Sequence, residues 1–251
     1  MLAGLFGLSG GFFALFTAAV VLLAGWEWTN LAGIRQRDNR LMLVGVLAMA
    51  MLMLWLSGGA LMAWPLWLGV AGWLVNLTWV TRYPEGVDQW RAPARRLLRG
   101  RWVLLPAWVG LNVLRDSGAV WLLFVLLLVW CADIGAYFAG RAFGRRKLAP
   151  KVSPGKSCEG VAGGLVATAA LALVFASWQG LGLGGGLGML LATLVVTLVS
   201  VLGDLFESML KRFRGIKDSS QLLPGHGGVL DRIDSLTAAA PLFALLMMGG
   251  L

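Results

Sequence analysis

Charge is what this sequence has least of. Asp, Glu, Lys and Arg together make up 13% of its 251 residues, about half of the roughly 25% that a water-facing domain carries. The chain therefore cannot coat itself for water. Disorder is excluded too, since hydrophobic residues reach 59% and mean hydropathy is +0.79, whereas disordered segments need low hydrophobicity. Two cysteines, Cys131 and Cys158, are too few for a disulfide framework and read as packing residues. A single histidine, His226, is weak support for general-base catalysis. The first 34 residues contain no Lys or Arg, so the basic start of a secretory signal is missing and Met1–Trp26 reads as a retained helix. The net charge of +9 is confined to a few short blocks, a pattern that argues against a nucleic-acid partner. What remains is an integral membrane protein.

What is present is a set of long uncharged runs. They are Met1–Trp26, Leu41–Thr81, Trp102–Leu114, Ser117–Gly140 (broken by Asp133), Gly160–Gly203 and Ser235–Leu251. About 20 apolar helical residues cross the hydrocarbon of a bilayer. The Leu41–Thr81 run is twice that length and divides near Ser57-Gly58-Gly59. The Gly160–Gly203 run divides at the turn-forming cluster Gly180–Gly186. The expectation is an all-α, polytopic membrane protein of about eight transmembrane helices, forming one membrane domain over residues 1–251. Its N-terminal spans occupy 1–81 and its catalytic half 117–251. Trp102–Leu114 is the short span and must borrow flanking residues or insert only in part.

The connecting segments alternate between basic and nearly uncharged. Basic clusters follow the first, third, fifth and seventh spans and place 20 of the 21 cations on one side, with only Arg115 opposite. By the positive-inside rule the basic loops are cytoplasmic and both termini lie outside, in the inner (plasma) membrane. The Arg82–Arg101 segment, flanked by Trp90 and Trp102, reads as a topology determinant attracted to anionic headgroups.

Two other loops carry chemistry. In the last one, Asp204, Glu207, Ser208 and Lys211 fall at i, i+3, i+4 and i+7 and share a helix face. Asp231 and Asp234 share another. Between them, Pro224-Gly225-His226-Gly227-Gly228 cannot be regular helix and suits close backbone approach to phosphate oxygens. Asp204, Asp218, Asp231 and Asp234 beside Lys211, Arg212, Arg214, Lys217 and Arg232 match what Mg²⁺ and a polyphosphate require. A solvated loop with internal ion pairs such as Glu207–Lys211 is the bland alternative, and three glycines within four residues speak against it. The other loop begins inside a span at Asp133, a site candidate because intramembrane carboxylates are costly. It continues to Ser153-Pro154-Gly155-Lys156-Ser157. Pro150 stands where a P-loop needs glycine, so that motif is rejected. A short basic loop remains, with Ser157 as N-cap and Glu159 in the first turn of the next helix.

Ser208–Asp234 resembles the signature of the phosphatidate cytidylyltransferases (CDP-diacylglycerol synthases). Ser208, Lys211-Arg212, Lys217-Asp218, Pro224, His226-Gly227-Gly228 and Asp231-Arg232-Ile233-Asp234 all stand at that family's spacing. Asp133-Ile-Gly-Ala-Tyr137 and Ser153–Ser157 resemble its second conserved region, with Ser157 where threonine is common, and Trp26-Glu27-Trp28 also looks familial. Members usually carry another hydrophobic helix ahead of the one ending at Trp26. The resemblance implies transfer of CMP from CTP to phosphatidate, giving CDP-diacylglycerol and pyrophosphate in phospholipid synthesis. It implies a Mg²⁺ site, of one ion or two, led by Asp218 and Asp231 with Asp204, Asp234 and Asp133. Asp218, Asp231, Lys217 and Arg232 would be catalytic. Ser153, Lys156, Ser157, Glu159, Ser208, Lys211, Arg212, His226, Gly227 and Gly228 would bind substrate. Partners would be CTP, phosphatidate and membrane lipids, with monomer and homodimer both open. The competing readings are a CTP-dependent polyprenol or phytol kinase and a transporter. The second would need several intramembrane charges where Asp133 is nearly alone.

Overall fold

The computed structural model describes residues 2–58, 61–225 and 227–250. A one-and-a-half-turn α1 (Leu2–Gly7) precedes eight long helices. They are α2 (Gly10–Leu31), α3 (Arg37–Leu56), α4 (Ala63–Thr81), α5 (Pro93–Asp116), α6 (Ala119–Phe143), α7 (Cys158–Trp178), α8 (Leu183–Arg214) and α9 (Leu230–Met248). The expected breaks fall at Ser57–Gly58 and at Gln179–Gly182. Gly184, Gly185 and Gly186 lie inside α8 instead of in the turn. Five helices, α2, α3, α6, α7 and α8, are long and apolar enough to cross a membrane. The protein is a multi-pass membrane protein.

The short span has a structural explanation. α5 runs from Pro93, borrowing the residues up to Arg101, and packs against α2, α4 and α9. A helix enclosed by other helices need not be apolar all round, because its polar groups find protein partners instead of lipid. Arg96 shows this. It is 4% exposed, donates to the carbonyl of Ala32 (2.8 and 3.2 Å) and to Arg91 O (2.5 Å), and lies over the Phe213 ring. Half of the Arg82–Arg101 segment is thus the first part of a helix, and Arg96 and Trp90 are buried in the fold instead of facing lipid headgroups. Arg82, Arg91 and Arg95 stay exposed.

α9 is the hub, flanked by α8, α5, α4 and α6. Close approach depends on small residues. A methyl group on Gly110 would lie within 2.8 Å of the Ala240–Pro241 backbone, and one on Gly203 would lie 2.6 Å from the Asp234 carbonyl. α6 and α7 meet likewise through Gly135, Gly160, Gly163 and Gly164, the small-residue seam that brings membrane helices together. Aromatic packing ties α8 to its neighbours, with Phe206 between Trp28, Trp73 and Trp79.

The ends of α2, α4, α6 and α8 converge on one face. Asn30 donates to Ser219 O, Arg214 to Asn30 O, Lys151 pairs with Glu85, and Arg212 donates to Val152 O. These contacts join all four basic segments, as the charge alternation requires. The segment expected as a plain loop before α7 is a hairpin, β1 (Lys147–Ala149) antiparallel to β2 (Ser153–Ser157). It is the only sheet among the described residues.

Candidate active site

Below that face the acidic residues of α8 and α9 meet. Asp231, in the first turn of α9, is the most heavily bonded. Its Oδ1 accepts from Lys211 Nζ at 2.7 Å and Ser219 N at 3.2 Å. Its Oδ2 accepts from Ser219 N and Oγ at 3.0 Å each and from Gly228 N at 2.7 Å. Burial would raise this carboxyl, but the Lys211 ammonium and the Gly228 and Ser219 amides outweigh it and hold the group at about 2. Lys211 also lies 3.5 Å from Glu207, whose two oxygens are buried without a hydrogen-bond donor. Asp234 accepts from its neighbour's amide, Ser235 N, at 2.7 Å. Burial, reinforced by the charge of Asp204, pushes its carboxyl upward. Asp204 accepts from Ser208 Oγ at 3.1 Å and pairs with Lys156 Nζ at 2.5 Å.

Lys156 carries the network into a cavity of about 360 Å³ between α6, the hairpin and α7, whose wall also includes Asp133, Tyr137, Arg141 and Ser157. Ser157 caps α7 by accepting from Gly160 N at 3.1 Å, as the sequence suggests. A second cavity of about 660 Å³ lies beyond Val161 and Val201, which line both. Its walls are mostly apolar: Leu77, Val80, Leu148, Val152, Leu198 and Leu202. At its rim Lys151 hydrogen-bonds Glu85 and holds that exposed carboxyl below its usual range.

The structure thus brings Asp204, Glu207, Ser208, Lys211, Asp231 and Asp234 into one network, with Lys156, Ser157 and Asp133 alongside. Gly228 joins it through its amide, which donates to Asp231 Oδ2, and several other sequence candidates are held elsewhere. Glu159 accepts from the amides of Arg145 and Arg146 and closes the hairpin. Arg212 points to Val152, and Lys217, Asp218 and Arg232 are exposed. Ser153 pairs with Ala149 in the hairpin. Asp218 nevertheless stands close: a methyl group on Gly227 would lie 2.8 Å from Asp231 Oδ2 and 3.4 Å from Asp218 Cβ. Gly227 has φ +79°, the left-handed region that glycine tolerates. His226 lies outside the described residues. Cys158 is exposed and Cys131 partly so.

One residue carries more than its sequence suggested. Glu27, at the end of α2, is 0% exposed, and each of its oxygens accepts two hydrogen bonds. Oε1 takes them from Ser220 Oγ (2.5 Å) and Val229 N (2.9 Å), Oε2 from Ser219 Oγ (3.2 Å) and Leu230 N (2.6 Å). The available signal was that Glu27 is the sole charged residue among the first 34. Ser219, Ser220 and Arg96 gave no comparable signal.

The donor set suits a hard divalent cation. Four carboxylates (Asp204, Glu207, Asp231, Asp234) face two ammoniums (Lys156, Lys211). Fully ionised, they carry an excess of two negative charges, and the Glu207 oxygens have no hydrogen-bond partner. Among the described residues no three His, Cys, Asp or Glu side chains are grouped closely enough to hold a metal ion by themselves. Mg²⁺ does not demand such a group, since it binds through one or two carboxylates with water and substrate phosphates completing the shell.

Residues 1–248 match the profile of the cytidylyltransferase family. A phosphatidate cytidylyltransferase of Pseudomonas aeruginosa is 51% identical over 98% of this chain and 91% of its own. One of Haemophilus influenzae is 43% identical over 97% and 92%, and one of Brucella suis 41% over 93% and 83%. Fold and site together define a nucleotidyltransferase embedded in the membrane. The chain belongs to the cytidylyltransferase family, as the resemblance of Ser208–Asp234 implies.

Proposed function

We propose that the protein transfers CMP from CTP to phosphatidate, releasing pyrophosphate and leaving CDP-diacylglycerol in the bilayer. The observation that carries this reading is the Lys156–Asp204 contact. It joins a cavity that carries Asp133, Arg141 and Lys156 in its wall, and that shares Val161 and Val201 with an apolar one, to the carboxylate–ammonium network of α8 and α9. A substrate with a phosphate head and acyl tails needs that juxtaposition.

In the proposed reaction a phosphate oxygen of phosphatidate attacks the α-phosphorus of CTP. The bond from that phosphorus to the bridging oxygen breaks, and the electron pair leaves with pyrophosphate. The lipid phosphate is already an anionic nucleophile, so no serine or cysteine need be activated. The work left to the protein is alignment and neutralisation of charge. Lys156 and Ser157 hold the lipid phosphate near Asp133, and the apolar cavity takes the beginning of an acyl chain. Lys211, Arg212, Lys217 and Arg232 hold the triphosphate and the leaving pyrophosphate. Asp204, Asp234 and Glu207, with Asp231 and Asp218 on either side of Gly227, would hold Mg²⁺. When bound, the ion draws charge from the phosphate oxygens and lines up the reacting groups. The basic face is read as cytoplasmic, where CTP is found, and the membrane as the inner (plasma) membrane.

The test uses CTP labelled in the base or in the γ-phosphate, with phosphatidate in detergent micelles. Base label is expected in the lipid product and γ-label in pyrophosphate. A CTP-dependent lipid kinase would place the γ-label in the lipid instead. Treatment with EDTA should abolish product formation and added Mg²⁺ restore it; activity that persists through chelation would remove the metal. Asp218→Asn is expected to lower turnover about 10²–10³-fold, the range seen when one preorganised electrostatic group is lost. Its melting temperature in detergent should stay unchanged, because Asp218 is exposed. Full activity in that variant would exclude Asp218 from the site.

A further inference from the structure

We infer that Glu27 is a positioning residue of the active site, holding the α8–α9 loop in register with the carboxylate network from a helix about 190 residues away in sequence. The inference rests on the proposed reaction, but its evidence is geometric.

The α9 N-terminus has no cap of its own. Val229, the residue before the helix, has helical backbone angles and contributes no side-chain cap. The free amides of Val229 and Leu230 are satisfied by Glu27, a buried anion at the positive end of the helix. The same carboxylate accepts from Ser219 and Ser220 on the far side of the loop. Both ends of the segment that contains Gly227 and Gly228 are therefore tied to one group on α2.

That tie reaches Asp231 through one hydroxyl. Ser219 Oγ lies 3.2 Å from Glu27 Oε2 and 3.0 Å from Asp231 Oδ2. A hydroxyl has one proton to donate, so its orientation is shared between the two carboxylates. The Ser219 amide donates to both oxygens of Asp231. Moving Ser219 therefore moves the group that Lys211 and Gly228 also hold. Space is equally tight. A methyl group on Gly228 would meet the Ser219 hydroxyl and lie 2.7 Å from both Glu27 oxygens. Glu27 itself is fully buried and touches neither cavity. It acts through its partners and not on substrate.

Glu27→Gln replaces one acceptor oxygen with an amide NH₂. Every one of the four partners is a donor, so at least one pair clashes in any orientation. The full-length chain, wild type and variant, is assayed in detergent with MgCl₂, CTP and phosphatidate. Glu27→Gln is expected to raise both the KM for CTP and the half-saturating Mg²⁺ concentration about tenfold, leaving the KM for phosphatidate within about twofold. The Mg²⁺ and CTP concentrations needed to raise the melting temperature should increase in parallel, a readout independent of turnover. A smaller folded fraction would lower Vmax and leave every KM alone, so unchanged KM values overturn the inference. Should Glu27→Gln not fold, Ser219→Ala decides, because Glu27 keeps Ser220, Val229 and Leu230. A raised KM for CTP supports the link, and a wild-type value overturns it. Lack of product from the wild-type chain would remove the proposed reaction and this inference together; product from the wild-type chain, with both variants keeping its KM for CTP and its half-saturating Mg²⁺ concentration, would remove the inference alone.

Discussion

Asp231→Asn is expected to lower turnover about a thousandfold, equivalent to roughly 4 kcal/mol of transition-state stabilisation. Asparagine is close in size but cannot imitate this carboxylate. Both native oxygens face donors: Lys211 and Ser219 at Oδ1, Ser219 and Gly228 at Oδ2. Whichever way the amide turns, its NH₂ meets an N–H or an ammonium. Lys211 would keep only the longer contact to Glu207. The loss should therefore match that of Asp231→Ala. Measured turnover above a tenth of wild type for Asn, with Ala inactive, would show that one oxygen suffices and that the donors around the other are dispensable.

Gly228→Ala should be comparably damaging, with turnover reduced at least about a hundredfold, as expected when catalytic groups shift by an ångström. Its added carbon has nowhere to go. It would overlap the Ser219 hydroxyl and press on both oxygens of Glu27, and these are too densely bonded to move alone. Gly184→Ala makes the contrast. It adds the same carbon at the start of α8, where nothing lies within 4 Å, and should leave turnover at the wild-type value. Equal activity in the two variants would mean that the loop relaxes freely and that its contacts to Glu27 carry no catalytic weight.

Much of the fold could be read from the chain because lipid permits few solutions. Backbone groups in hydrocarbon must bond internally, so long uncharged runs become helices. The alternation of basic segments then assigns each helix end to a face. The chain is less legible where protein, not lipid, surrounds a segment. Trp102–Leu114 looked too short because α5 is enclosed by α2, α4 and α9 and carries Arg96 into the fold on carbonyl partners. The hairpin before α7 is not legible in the chain because Lys147–Ala149 and Ser153–Ser157 are short and lack strand-like alternation. At the site, Asp204, Glu207 and Lys211 can be assigned to one helix, α8, because helical spacing is a local rule. The meeting of Lys156 with Asp204, or of Glu27 with Ser219, spans too much sequence for any local rule to reach.

The sequence by itself determined that this is a helical membrane protein, which ends of its helices share a face, and which acidic and basic residues fall on common helix faces near those ends. Hydrophobicity, charge asymmetry and helical periodicity act within a few turns, and the chain displays them openly. Only the tertiary structure decided that a glutamate in the first long helix anchors the loop before the last one. It also decided that a lysine from the hairpin completes the acidic network. Such contacts depend on how helices pack side by side, a matter of shape and close approach between segments far apart in the chain.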